Sequence, residues 1–127
     1  MRLLLDTHVF LWYVTNDKRL APRFASAIRD PGNEAFLSVV SVWEGVIKYS
    51  LGKLPLPQSA EIYFTKERKQ HKIKSLSLNE NSVVKLAGLP GFHHDPFDRM
   101  LICQALANRL TLVTVDPQIQ RYPVLLL

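Results

Sequence analysis

Asp95 and Asp98 stand three residues apart in HHDPFDRMLICQAL, where a polar turn runs into an apolar helical pattern. Asp6, Glu44 and Asp116 are likewise set among apolar neighbours, in LLLDTHVF, SVWEGVI and LVTVDP. The chain holds eleven Asp and Glu in all, so five outside solvated contexts is a large share. Carboxylates resist burial unless something offsets their charge. Each of the five also has a local explanation. Asp95 before Pro96 fits an N-cap with proline opening the helix, and Asp98 completes that first turn. Ser41-Val42-Trp43-Glu44 has capping-box spacing, and Asp6-Thr7 and Asp116-Pro117 read as turn initiators. Magnitudes weaken the local readings when the acids are taken together. A carboxylate at a helix start gains only about 0.3–1 kcal/mol from the dipole. Two carboxylates about 4 Å apart repel by roughly 4 kcal/mol at an effective dielectric near 20. Several anions on one rim call for a cation, and carboxylate and water oxygens are the ligands Mg²⁺ or Mn²⁺ prefers. No Cys/His spacing suits zinc, since the adjacent His93 and His94 do not readily share one ion.

The surroundings of these acids are basic. The net charge is +5 and the pI is near 9.6, which favours polyanionic partners. Lys66 to Lys74 (KERKQHKIK) carries five Lys and Arg against one Glu. That run is either a solvated helix end or part of a polyanion surface, and a phosphate-handling site nearby favours the second. Acids that hold a metal, within a protein that attracts a polyanion, point to phosphodiester cleavage by metal-activated water. Thr114, two residues before Asp116, either orients a ligand or water by its hydroxyl or is a plain strand residue. Trp12 and Trp43 lie within helical patterns, where core packing is expected ahead of base stacking.

With 127 residues, 47% hydrophobic and 21% charged, the sequence reads as one globular domain over 1–127. That length buries about two thirds of the unfolded surface without staples. The single Cys103, inside an apolar helix pattern, reads as a buried structural thiol in a reducing compartment. The Leu3–Leu5 run stops at Asp6, too short for a signal peptide or membrane span, so a cytoplasmic location is expected.

The elements that must position the acids follow from hydrophobic patterning. Strands are expected at 2–5, 35–37, 73–76, 112–115 and 124–127. Helices are expected at 9–14, around Leu20 to Ile28, at 39–50, 59–71 and 79–86, and most strongly at 97–108. Continuous apolar strands alternating with helices predict an α/β fold, a three-layer sandwich around a mostly parallel sheet. In such a sheet the carboxyl ends of strands and the amino ends of the following helices share one edge, where ligands bind. Chain order alone therefore brings Asp6, Glu44 and Asp116 to one rim. The Asp95/Asp98 pair joins them if its helix starts there.

The segments LLLDTHVFLW, SVVSVWEGVIK, HHDPFDRMLICQAL and LTLVTVD, in this order and spacing, resemble PIN-domain ribonucleases, closely the VapC-type toxins of type II toxin–antitoxin pairs. The resemblance covers nearly the whole chain and is least specific from Ala60 to Gly88. It implies a sandwich of five parallel strands and Mg²⁺- or Mn²⁺-dependent endoribonuclease activity. It further implies inhibition by a VapB-like antitoxin and, as is common among relatives, a homodimer. Position by position, it implies that Asp6, Glu44, Asp98 and Asp116 are the catalytic, metal-binding acids. Asp98 takes the third place because its spacing to LICQAL and LVTVD matches. Asp95 belongs to the HxDPFDR variant of the motif and either assists or only caps the helix. His94 stands where that variant often has Arg. Arg99 either contacts phosphate or pairs with a nearby acid to hold its loop, the pairing being preferred.

Two other classes compete. A non-catalytic RNA-binding module gains nothing from clustered anions facing RNA phosphates. A receiver-type phosphoacceptor domain wants paired acids after its first strand and a Lys after a late one, where this chain has the lone Asp6 and Asp116-Pro117.

Overall fold

Three consecutive leucines form a strand with both faces apolar, which only a central strand of a covered sheet tolerates. In the computed structural model, which describes residues 1–127, β1 (Arg2–Leu5) is that strand, and Leu3, Leu4 and Leu5 are fully buried. It is followed by α1 (Thr7–Val14), α2 (Pro22–Arg29), β2 (Glu34–Ser38), α3 (Val39–Ser50), α4 (Ala60–Gln70) and β3 (Lys74–Leu76). Then come α5 (Glu80–Lys85), α6 (Pro96–Asn108), β4 (Thr111–Val113) and β5 (Leu125–Leu126). The five strands lie in the order β3-β2-β1-β4-β5, and all four pairings are parallel. The sheet is thus wholly parallel, with helices on both faces: an α/β/α sandwich.

Side-chain alternation along β1 divides the core. Leu3 and Leu5 join Phe10, Phe24, Tyr63 and Phe64 from α1, α2 and α4 on one face. Leu4 joins Ile102, Ala105 and Leu112 from α6 and β4 on the other. The order places a switch point between β1 and β4, since the chain builds outward from β1 through β2 and β3 on one side and through β4 and β5 on the other. Receiver domains share the order 2-1-3-4-5 of flavodoxin-like folds. The arrangement here differs, which removes the phosphoacceptor reading.

Departures from the expected elements are small and have local causes. α1 starts at Thr7, directly after Asp6, without a connecting turn. β4 ends at Val113 rather than Val115, because Thr114 turns its hydroxyl onto the end of β1. Cys103 is buried and unpaired, and burial pushes its thiol pKa up, as a structural thiol requires. Trp43 corrects the expectation of core packing: it is 56% exposed, and its ring meets the edge of Phe97 at 5.0 Å. Val39, Trp43 and Ile47, spaced four apart along α3, and Leu51 at its C-cap form an exposed apolar stripe. No helix is long and apolar enough to cross a membrane.

Candidate metal centre

Asp6 follows the last residue of β1, and its main-chain N–H still donates to Val113 O at 3.0 Å, so the carboxyl end of the central strand fixes it. It occupies the N-cap position of α1 but makes no side-chain cap bond. Its Oδ2 accepts from Thr114 Oγ1 at 2.7 Å. Its Oδ1 is buried and has no hydrogen-bond partner. Burial raises the Asp6 pKa, with the Glu44 charge adding to it and the Thr114 hydrogen bond opposing. A turn initiator has no use for such an arrangement.

Glu44 lies in the second turn of α3, one residue before Gly45 and 3% exposed. The helix is capped by Ser38, whose Oγ accepts from Val40 N at 3.0 Å. Glu44 is therefore not a capping-box partner. Its Oε1 lies 2.8 Å from Thr7 Oγ1, which is also 2.8 Å from Ser41 Oγ. A carboxylate only accepts, so Thr7 donates to Glu44. Lys48, one helical turn on, donates its ammonium to Glu44 Oε2. Burial lowers the Lys48 pKa, but the Glu44 carboxylate outweighs it and the net shift is upward, so the ammonium stays charged.

The DPFD segment separates its two acids. Asp95 is the N-cap of α6, with Oδ1 accepting from Phe97 N at 2.8 Å and Asp98 N at 3.1 Å. Pro96 opens the helix, where the missing N–H costs nothing. Asp98, one turn in, aims its carboxylate into the same cleft as Asp6 and Glu44. Its pKa is pushed up to about 7, first by burial and then by the charges of Asp6, Asp95 and Glu44, with His93 opposing. Asp116 follows β4 at the rim. Its Oδ1 accepts from Gln118 N at 2.8 Å, the expected turn bond, while Oδ2 accepts from His93 Nε2 at 2.8 Å.

The structure thus brings Asp6, Glu44, Asp95, Asp98 and Asp116 to one open cleft of about 280 Å³, at the β1/β4 switch point. Thr114 is a bridge between strands: it donates to Asp6 and accepts from Asp116 N at 3.1 Å. Arg99 corrects its expectation in part. It holds the loop before α6, but through main-chain carbonyls: Nη1 reaches Pro90 O at 2.9 Å and His93 O at 3.3 Å, and Nη2 reaches Leu89 O at 3.4 Å. No acid lies within ion-pair reach of it. Of the two readings of the basic run, its placement favours the solvated helix end. His71, Lys72 and Lys74 line a pocket with Arg29 and Glu34 at the amino end of the strands, away from the acids.

Three participants escaped the sequence reading. Lys48 had a signal, the four-residue spacing from Glu44 on a helix. Thr7 had only its adjacency to Asp6. His93 had its place as the first residue of the HxDPFDR variant, but no periodicity, and nothing local gave it a partner. Its Nε2 lies 2.8 Å from Asp116 Oδ2 and 3.2 Å from Asp98 Oδ2.

These residues fit a hard divalent cation. The converging donors are carboxylate oxygens, one buried Asp6 oxygen lacks any partner, and burial together with the neighbouring acids holds the Asp98 pKa up at about 7. Asp6, Glu44, Asp98 and Asp116 would hold the ion.

The model of the PIN domain matches residues 3–125. Comparison with curated proteins gives no match. Among solved structures, VapBC2 from Rickettsia felis, bound to a DNA fragment from the promoter, superposes with a TM-score of 0.69 at 15% identity, over 99% of this chain and 96% of that one. VapBC-1 from nontypeable Haemophilus influenzae gives 0.61 at 20% identity, over 95% and 91%. At these identities the likeness is one of fold.

Proposed function

The chain belongs to the PIN-domain family, and from that membership we propose that it is a metal-dependent endoribonuclease, the toxin of a toxin–antitoxin pair. The observation that carries the reading is the unpartnered, buried Oδ1 of Asp6 in a cleft shared with four further acids. A buried carboxylate oxygen with no donor costs stability, and this one, unlike the equally unpartnered Glu67 Oε2 on α4, faces a cleft lined by other carboxylates that a cation can share. A bound Mg²⁺ or Mn²⁺ supplies Lewis acidity there, activating water and offsetting charge on the phosphate.

The chain's own groups do the rest. Thr114 donates to Asp6 Oδ2 and leaves Oδ1 without a partner, while Thr7 and Lys48 hold the two oxygens of Glu44. Lys48 is the one Lys or Arg lining that cleft, so it is the group placed to meet an RNA phosphate. Asp95 holds the start of α6 in place and so sets the direction of Asp98. The partners under this reading are an RNA substrate, a VapB-like antitoxin and a second copy of the chain. The α3 stripe of Val39, Trp43, Ile47 and Leu51 supports a protein partner, because such a ladder is costly to leave in water. Retained acids argue against a pure RNA-binding module.

Purified protein incubated with RNA and Mg²⁺ or Mn²⁺ is expected to cleave, and EDTA to abolish cleavage. Asp6→Ala and Asp98→Ala proteins that still cut at the wild-type rate would refute the assignment. Growth arrest on expression, relieved by the product of a neighbouring small gene, tests the toxin role separately.

A further inference from the structure

His93 is held by more bonds than a loop residue needs. Its main-chain N–H donates to Tyr122 Oη at 2.8 Å, and Tyr122 Oη donates to Pro90 O at 2.6 Å. Arg99 grips the carbonyls of Leu89, Pro90 and His93 from the other side. Phe92 packs on Tyr122, with ring centroids 5.2 Å apart, and Arg121 lies over the Phe92 ring at 4.4 Å. All of this delivers one imidazole, its side chain 12% exposed, between two metal-site acids.

The ring's own bonds decide what it does there. Asp95 N donates to His93 Nδ1 at 3.0 Å. A main-chain N–H has no other role, so Nδ1 is the accepting nitrogen and the ring proton sits on Nε2. That proton faces Asp116 Oδ2 at 2.8 Å and Asp98 Oδ2 at 3.2 Å. His93, Asp98 and Asp116 present ligand atoms within 4.8 Å of one another, as a three-ligand metal site would. A nitrogen that carries a proton has no lone pair for a metal, however, and Asp95 N holds the ring in that tautomer.

We infer that His93 is a positioning residue of the metal centre, a hydrogen-bond donor that orients Asp98 and Asp116, and is not itself a metal ligand. The inference rests on the metal-site reading above and extends it to a residue outside the acid set. The Asp95 carboxylate caps α6 while its main-chain N–H fixes the imidazole tautomer. One residue thus orients the metal-site acids from two directions.

Two substitutions divide the ring's functions. In His93→Gln the side-chain amide N–H reaches as far as Nε2 and can donate to the acids, but the Nδ1 acceptor is lost. In His93→Asn the side-chain carbonyl can accept from Asp95 N, but nothing reaches the acids. Mn²⁺ binding by calorimetry to the wild-type chain and both variants is the primary measurement, with circular dichroism to show that each is folded. Loss of an outer hydrogen-bonding partner of metal ligands typically costs about 10–100-fold in affinity. That loss is expected for His93→Asn, whereas His93→Gln, which keeps the donor, should stay short of it. Nitrogen-15 spectra of the imidazole should show the proton on Nε2 with and without Mg²⁺, and pulsed electron paramagnetic resonance of bound Mn²⁺ should show no directly coordinated ¹⁴N. Full affinity in His93→Asn with loss in His93→Gln would reduce His93 to a loop fastener and overturn the inference. A coordinated-nitrogen signal that His93→Gln removes would overturn it in the other direction. Failure of the wild-type chain to bind Mn²⁺ at all would overturn the metal reading and this inference with it.

Discussion

Asp98 shows how the site trades stability for chemistry. Its ordinary pKa is 3.8, and in the fold it is pushed up to about 7. Between those values the metal-free folded chain keeps a proton that the unfolded chain has released. Stability therefore falls as pH rises through that window, and the Asp98 contribution is fully present only below about pH 4. Asp98→Asn removes the charge without changing the shape. The metal-free variant is expected to melt above wild type at pH 8 by roughly 4 °C, about 1 kcal/mol for a chain of this length, and the gap should close toward pH 5. Excess Mn²⁺ at pH 8 should raise the wild-type melting temperature, as any ligand of the native state does, and leave the variant nearly unmoved. Thermal melts of both proteins in EDTA and in Mn²⁺ check this. A gap that does not change with pH would show that Asp98 is not the group that burial and its acidic neighbours perturb.

Helices and strands were legible wherever a period ran long enough. The leucines of β1, the α3 pattern and the 96–108 helix all fall where the hydrophobic spacing puts them, and strand order then carries three acids to one edge without any side-chain detail. What spacing does not encode is contact between segments distant in sequence. His93 meets Asp116 across 23 positions, and Thr114 meets Asp6 across 108. Gly45 belongs with these. Glycine is a poor helix former, yet a methyl group there would run into the ring of Phe64 on α4. That ring is fully buried and stacked on Phe10 at 5.5 Å, so it has nowhere to go. Gly45 therefore sets how closely α3 approaches α4, and hence where its neighbour Glu44 meets Thr7. Gly45→Ala is expected to cost about 1–3 kcal/mol, the usual range for overpacking, despite alanine's better helix propensity. A lower urea midpoint with unchanged slope would show it, together with less cleavage per folded molecule. A stabilised variant would mean that α3 and α4 can part without strain.

Charge is distributed over the molecule in a way that composition hid. A net charge of +5 and a basic run suggested cations surrounding the acids, but the run ends at Lys74, where β3 begins, and the acids stand where β1 and β4 end. The two edges are separated by the length of a strand, about 3.3 Å per residue, or roughly 13 Å for the four residues of β1. The Debye length at 0.15 M salt is about 8 Å. Lys69 and Lys72 are therefore largely screened from a phosphate at the cleft, whereas Lys48 lines it. Lys69→Gln/Lys72→Gln is expected to leave kcat/KM on a short RNA oligonucleotide within about twofold of wild type at that salt. Lys48→Gln should lower it at least tenfold, roughly the 1.4 kcal/mol of one charged hydrogen bond. Each neutralised phosphate contributes about −0.7 to the slope of log K against log salt for a single strand. Lys48→Gln should therefore flatten the salt dependence of RNA binding, measured with the cleavage-deficient Asp98→Asn chain, while the double variant keeps it. Equal losses from both would mean that the RNA path runs from the acid rim around to the opposite edge of the sheet.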